Sequence, residues 1–331
     1  MNELRHIRRV DIELHSFCNR TCDWCPNKTY LRNKQVVMED WLFSKILREL
    51  NEFGFGQDRQ FVNRRTSAST FKNYYRDFTE NQPVVSFLGY MEPMSDIKLL
   101  KKRVNEASET LNNFVELVSN TSGDYISKKN LDGLLLTTLN IMDYDCQGRE
   151  FWEHKLKEAG CLIIDDENIG YNGVIALHKT IGNIRVQLDW PKNWLLENRG
   201  GAISRDEQSL VQMNWKNNAV ERKVPCVEPS YFINITYDGN VMPCCHLRSD
   251  IPMHKDYILG NLRDQTLNEI FYGEKAVSFR ESLTKENGFY PKPCTNCQKI
   301  RNGVCTGSPN GFDYIGQRYA NNEINENIFF T

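Results

Sequence analysis

Neither sign of charge dominates this chain, and no long apolar run interrupts it. Its 41 Lys and Arg stand against 43 Asp and Glu, so no global field draws it to nucleic acid or to an anionic membrane. No stretch approaches the roughly 20 consecutive apolar residues that span a bilayer. The start, Met1-Asn2-Glu3-Leu4-Arg5-His6, lacks the apolar region of a secretory signal. A cytoplasmic protein with no membrane partner is the expectation. Internal sequence repeats are also lacking, beyond an alternation of strand-like and helix-like runs. With 331 residues, 40% of them hydrophobic, the chain has room for one large domain or two ordinary ones.

Cysteine, by contrast, is plentiful. Eleven are present, and in a reducing compartment they serve more often as metal ligands or catalytic groups than as disulfides. Cys18, Cys22 and Cys25 form a C-x3-C-x2-C loop directly after a strand-like run. What this loop lacks is a fourth cysteine. Three close cysteines cannot all pair with one another. Structural zinc wants four ligands, a set that His15 could complete. Iron–sulfur clusters are normally held by four cysteines, so a cluster held here by three leaves one iron able to bind something else.

Val10, Ile12 and Leu14 alternate with Asp11 and Glu13, as in a strand with one buried face. Leu42, Ile46 and Leu50, with Phe43 and Leu47 beside them, predict a helix over 38–53 that Gly54 stops. Pro83 to Leu88 reads as a second strand, running into Gly89-Tyr90-Met91-Glu92-Pro93. Asp96 is placed to cap a helix lined by Leu100, Val104, Ala107 and Leu111. Val115 to Val118 is a third strand, ending in Ser119-Asn120-Thr121-Ser122-Gly123. Leu131, Leu134 and Leu135 mark another helix, Leu139 to Met142 a strand, and Arg149 to Ala159 a helix closed by Gly160. Cys161 to Ile164 and Ile184 to Leu188 add strands, and the alternation argues for parallel βαβ units.

Residues 54–82 do not fit that alternation. Arg59, Arg64, Arg65, Lys72 and Arg76 interleave there with Phe61, Phe71, Tyr74, Tyr75 and Phe78. Such a pattern can bind single-stranded nucleic acid, but the chain as a whole is not basic, which disfavours nucleic acid as a partner. A solvated insertion over one edge of the domain is the preferred account, with a lid or a docking contact as the middle option. A domain break is expected between Asn193 and Pro225. Beyond it, Cys226 precedes a hairpin from Tyr231 to Val241 with its turn at Asp238-Gly239. Cys244 and the pair Cys294 and Cys297 complete a four-thiolate set, for which zinc and iron–sulfur both stay open. Cys146, Cys161, Cys245 and Cys305 remain, and buried free cysteines are usually small inert hydrophobes.

The first loop resembles the C-x3-C-x-aromatic-C signature of the radical S-adenosylmethionine (radical SAM) superfamily, with Trp24 in the aromatic slot. Gly89-Tyr90-Met91-Glu92-Pro93 and Ser119-Asn120-Thr121-Ser122-Gly123 follow in the family's order, with Met91 standing where a glycine is usual. The resemblance implies an α/β fold, a partial (β/α)6 barrel over residues 8–200 with an insertion at about 54–82. It implies a [4Fe–4S] cluster on Cys18, Cys22 and Cys25 whose remaining iron binds SAM's methionine. Gly89, Tyr90 and Glu92 form the motif that contacts SAM, Glu92 accepting from its methionine ammonium. Helix capping is the plainer role for Glu92. Ser119 or Thr121 would reach the ribose or carboxylate of SAM, with turn formation as their plainer role. Arg199, in Asn198-Arg199-Gly200-Gly201, is a further candidate for the SAM carboxylate.

The second cysteine set resembles the auxiliary-cluster domains called SPASM and, in shortened form, twitch. It implies a small domain over residues 222–310, with one auxiliary [4Fe–4S] cluster on Cys226, Cys244, Cys294 and Cys297, and then a tail over 311–331. The full SPASM pattern has seven cysteines, and here Cys305 alone follows the C-x2-C pair. The implied reaction is reductive cleavage of SAM to methionine and a 5′-deoxyadenosyl radical that abstracts hydrogen from a substrate C–H bond, with an electron donor such as flavodoxin or ferredoxin. A ribosomally synthesised peptide is the preferred substrate, for epimerisation, cross-linking or backbone rearrangement, and a separate leader-peptide-binding protein is a compatible partner. The alternatives are an aminocyclitol or sugar dehydrogenase or epimerase, and a structural zinc-binding protein. Cys245 and Cys305 are candidate hydrogen donors to a substrate radical.

Overall fold

The computed structural model describes residues 4–22, 25–32, 34–56, 83–111, 115–145, 147–164, 175–178, 184–189, 199–203, 226, 228–283, 290–295 and 297. Trp24, Cys146, Cys305, nearly all of the 54–82 segment, most of the expected domain break and the 311–331 tail lie outside the described residues.

Ten strands form one sheet: β1 (Arg9–Ile12), β2 (Val84–Phe87), β3 (Glu116–Thr121), β4 (Thr138–Met142), β5 (Cys161–Ile164), β6 (Ile175–His178), β7 (Ile184–Asp189), β8 (Phe232–Ile235), β9 (Asn240–Met242) and β10 (Gly260–Asn261). Their order is β10-β9-β8-β1-β2-β3-β4-β7-β6-β5. From β8 through β1, β2, β3 and β4 to β7, every neighbouring pair is parallel. This is the α/β architecture of a partial barrel, and the described residues show no closure between its edges.

Helices α1 (Asp40–Glu52), α2 (Ile97–Thr110) and α3 (Arg149–Glu158) connect these strands. α1 buries Leu42, Phe43, Ile46, Leu47 and Leu50, each worth about 1.5–3 kcal/mol of transfer free energy. Asp96 caps α2, accepting from the Leu99 amide at 3.1 Å. The helix expected over Leu131–Leu135 is a single turn, Lys128–Leu131, after which Leu134 and Leu136 reach the core from non-helical chain. Helices α4 (Leu267–Phe271) and α5 (Glu274–Ser282) follow β10, α4 opening on a capping box between Thr266 and Glu269.

Two expectations need correction. Cys161–Ile164 is not a parallel strand of the core: β5, β6 and β7 form an antiparallel meander, and β7 occupies the place beside β4. Ile184, Val186 and Leu188 turn one face of β7 into the core, whereas Leu162 of β5 is 52% exposed. The hairpin β8–β9 is present, but it is continuous with the core sheet because β8 runs parallel to β1.

The sheet has two buried faces of opposite character. Cross-strand neighbours share a face. On one, Ile12, Phe87, Ser119, Leu139 and Val186 lie in register and belong, apart from Ser119, to the apolar core. On the other, Asn234, Asp11 and Ser86 are in register, and Thr138 pairs with Val118 two strands along. These polar side chains are also buried, with Asp11 at 0% and Glu13 at 1% exposure. The acidic face of β1, expected to meet solvent, is inside. Buried polar groups need partners: Asp11 accepts from Arg9 at 2.6 Å, Asn120 accepts from Asn140 at 2.9 Å, and Asn234 donates to the Cys244 carbonyl at 3.2 Å. Among the described residues no helix is long and apolar enough to cross a membrane.

Candidate active site

The cysteine loop leaves β1 through Leu14–Phe17 and is tied at its base. Ser16 donates its hydroxyl to the Lys34 carbonyl at 2.7 Å and accepts the Val36 amide at 2.9 Å, and the Met38 amide donates to the Leu14 carbonyl at 2.8 Å. The Phe17 amide donates to His15 Nδ1 at 3.1 Å, so that imidazole nitrogen holds the loop backbone. Tight turns follow, with the Cys25 amide on the Cys22 carbonyl at 2.9 Å and the Lys28 amide on the Cys25 carbonyl at 3.0 Å.

Burial pushes the Cys18 thiol up to about 11 and the Cys22 thiol up to about 12, and it raises Cys25 as well. Each of Cys18 and Cys22 also lies within the field of Cys25. Three crowded thiols of this kind do not ionise unless positive charge is supplied among them, which is what the irons of a cluster do. The guanidiniums of Arg199, Arg248 and Arg32 add positive potential at Cys25. The donor set therefore fits a three-thiolate cluster site.

The motif after β2 closes over this loop. Gly89 has φ +154, and a Cβ there would stand 2.3 Å from the Glu13 side chain. Without it, the Tyr90 amide donates to Glu13 Oε1 at 2.7 Å. The Tyr90 hydroxyl donates to the Cys245 carbonyl at 2.9 Å, and Asn27 donates to the Tyr90 carbonyl at 3.0 Å. Met91 turns inward, its sulfur 3.1 Å from the Leu14 amide, so the side chain is absorbed where the related motif has glycine. Glu92 is 3% exposed. It accepts from the Thr121 hydroxyl and the Ser122 amide, each at 2.7 Å, and from the Met94 amide at 3.2 Å, capping the short 3-10 turn Pro93–Asp96. Burial outweighs these donors and raises its pKa, and Glu92 lies in the field of Cys18.

Thr121 spends its hydroxyl on Glu92, and Ser119 donates to the Phe87 carbonyl at 2.8 Å. Arg199 comes within the field of Cys25, Tyr90 and Tyr144, with Nη1 3.3 Å from His246 Nδ1 and a left-handed φ of 47°. Gly200 follows at φ +62, where a Cβ would lie 2.5 Å from Leu247. His254 Nδ1 accepts the Arg248 amide, so its Nε2 carries the proton and donates to the Gly200 carbonyl at 3.0 Å. Cys226 is anchored by its amide to the Leu283 carbonyl at 2.9 Å, after the end of α5. Cys244 follows β9, and Cys294 and Cys297 share a turn, the Cys297 amide donating to the Cys294 carbonyl at 3.1 Å. All four are half-buried, as is Cys245.

Several residues here carry no motif. Arg20 holds Asp124 and Asp145, after β3 and β4, through contacts of 2.6–2.9 Å, and it lowers both carboxyls, Asp124 to about 2. Glu13, Arg32, Asp250 and Arg248 form a run of charges of alternating sign, all buried except Asp250. Acidic residues in the alternating pattern of β1 were the available signal for part of it, because a central parallel strand is ordinarily apolar on both faces.

Residues 226–298 match the family model of SPASM, an iron–sulfur cluster-binding domain. The fold is similar to the crystal structure of BtrN in complex with AdoMet and 2-DOIA, with a TM-score of 0.59 and 21% identity over 93% of this chain and 98% of that one. It is also similar to BtrN in an open conformation, with a TM-score of 0.52 and 19% identity over 91% and 95% of the two chains. The matched segment is thus an iron–sulfur cluster-binding domain of the SPASM type, and the fold of the chain is that of the BtrN structures. In sequence, the chain is 24% identical over 311 residues to the S-adenosyl-L-methionine-dependent 2-deoxy-scyllo-inosamine dehydrogenase of Niallia circulans, covering 92% of this chain and 97% of that relative.

Proposed function

We propose that this protein oxidises a secondary alcohol of a polyhydroxylated small molecule, an aminocyclitol or a sugar. The observation that carries the substrate class is the buried polar face of the sheet, built from Asp11, Ser86, Thr138 and Asn234 with the Asn120–Asn140 pair. A sheet face lined with hydrogen-bonding side chains suits a hydroxylated substrate better than an apolar one. Full-length likeness to a 2-deoxy-scyllo-inosamine dehydrogenase supports the same reaction class. The expectation of a peptide substrate rests on the SPASM resemblance and in part on the aromatic–basic stretch over 54–82, nearly all of which lies outside the described residues.

When bound on Cys18, Cys22 and Cys25, the cluster with SAM supplies methionine and a 5′-deoxyadenosyl radical as hydrogen abstractor. In the proposed balance, alcohol and SAM give ketone, methionine, 5′-deoxyadenosine and one proton, and the electron used in cleavage is released again as the carbonyl forms. That surplus electron gives a second redox centre a use, which supports an auxiliary [4Fe–4S] cluster on Cys226, Cys244, Cys294 and Cys297. Glu92 holds the methionine ammonium and Arg199 the carboxylate. Cys245 needs no hydrogen-donor role in this reaction. The working division is a core over residues 8–200 and an auxiliary domain over 222–310 in a cytoplasmic protein served by a flavodoxin or ferredoxin type of donor.

The test is anaerobic incubation with SAM, dithionite and a panel of aminocyclitols, sugars and peptides. A ketone product formed with equimolar 5′-deoxyadenosine, and transfer of deuterium from the carbinol carbon into that nucleoside, is expected. Turnover of peptides with none of the polyols would overturn the substrate class.

A further inference from the structure

We propose that the turn carrying Arg248 and Asp250, in the auxiliary domain, positions the first cluster's loop. The SAM site is then complete only when that turn is docked. This rests on the radical SAM reading of Cys18, Cys22 and Cys25.

Arg248 is 1% exposed and spans three acceptors, two in the segment after Cys25 and one in its own turn. Its Nη1 donates to Asn27 Oδ1 at 2.5 Å, its Nη2 to the Tyr30 carbonyl at 2.5 Å and its Nε to Asp250 at 2.6 Å. Its guanidinium also lies 5.5 Å from the centre of the Tyr90 ring. Asp250 in turn accepts from Arg32 Nε at 2.9 Å, and Arg32 Nη1 donates to Glu13 at 3.1 Å. Glu13 accepts the Tyr90 amide at 2.7 Å, and Asn27 donates to the Tyr90 carbonyl at 3.0 Å. The contacts close a ring. It runs from Glu13, just after β1, through the segment after Cys25, into the auxiliary turn, and back to the residue two before Glu92.

Tyr90 is thus held at its amide, its carbonyl and its hydroxyl, with an arginine over its ring. Of these holders, the Cys245 carbonyl and Arg248 belong to the auxiliary domain. Only a planar fork with several N–H groups can meet Asn27, Tyr30 and Asp250 together. A lysine keeps the charge but offers a single point of donation. The opposite flank of the loop is tied separately, by Arg20 to Asp124 and Asp145. The Arg248 ring is therefore not duplicated by that contact.

The experiment compares Arg248→Lys and Arg248→Met with the unaltered protein. In the full chain without metal, amide hydrogen exchange over residues 25–32 is expected to rise about tenfold or more in both variants, while residues 97–110 of α2 stay unchanged. After anaerobic reconstitution, SAM affinity is expected to fall about tenfold or more in both, and the change that SAM induces in the EPR spectrum of the first cluster is expected to weaken, at unaltered iron content. Exchange over 25–32 that rises no more than exchange over 97–110 overturns the proposal. So does a SAM response equal to that of the unaltered protein. A wild-type chain that binds iron but gives no SAM response overturns the radical SAM reading instead, whatever the exchange result.

Discussion

Replacing Glu92 by glutamine changes one atom type in a buried, multiply hydrogen-bonded carboxylate of the site. A carboxylate offers about four lone-pair positions. Glu92 accepts from the Thr121 hydroxyl and the Ser122 and Met94 amides, and the Ser122 side chain also lies within its reach, so an incoming cation shares a nearly filled set of acceptor positions. In Glu92→Gln, one orientation of the amide sets its NH2 against the Ser122 amide and the other sets it against the Met94 amide. Either way a buried N–H loses its acceptor, at about 1–3 kcal/mol. Relief of a buried charge whose pKa burial has raised opposes that cost, so stability is not the diagnostic quantity. SAM affinity is. Loss of one charge-assisted hydrogen bond, worth about 1.5–3 kcal/mol, corresponds to a Kd weaker by about 10- to 150-fold. The assay is anaerobic titration of the reconstituted protein with SAM, followed by EPR. A pH signature accompanies it. With the folded pKa raised, the Glu92 contribution to stability is present below the ordinary carboxyl value and is lost as pH rises through the folded one. SAM affinity runs the other way, falling as pH drops through that raised value, and in Glu92→Gln this dependence disappears. An unchanged Kd with an unchanged pH profile would refute the placement of Glu92 at the ammonium.

Cys294→Ala tests the second cysteine set: iron is expected to fall from about eight to about four per chain, while SAM still perturbs the first cluster's EPR spectrum. Unchanged iron would remove Cys294 from the ligands. Arg20→Met severs the contacts to Asp124 and Asp145, and because these groups are partly exposed the expected loss is only about 1 kcal/mol in chemical denaturation. Asp124 is held at about 2, below its ordinary 3.8, so the difference between variant and wild type is full above pH 3.8 and fades as pH falls toward 2. A difference that persists unchanged through that window would show that the contact is not ionic.

The amino-acid sequence by itself carried the motifs behind the proposed chemistry. Three thiols at fixed short spacing, a carboxylate after a strand and a later four-cysteine set are local patterns, and local spacing survives in the linear chain. The amphipathic stripe of α1 and the Asp96 cap were readable for the same reason, since helical period and capping act within a few residues. Strand order was not readable. Whether β5 or β7 lies beside β4 depends on pairing between segments that meet only in the folded sheet. Burial of Asp11 and Glu13 was hidden for a related reason: alternation reports that one face is polar, not that Arg32 and the auxiliary turn come to cover it. Arg248 belongs to no motif, and its partners Asn27 and Tyr30 lie more than 200 residues away. The motifs behind the proposed chemistry are local and therefore written in spacing. The coupling of the two cysteine regions arises from contacts that exist only after the chain has folded.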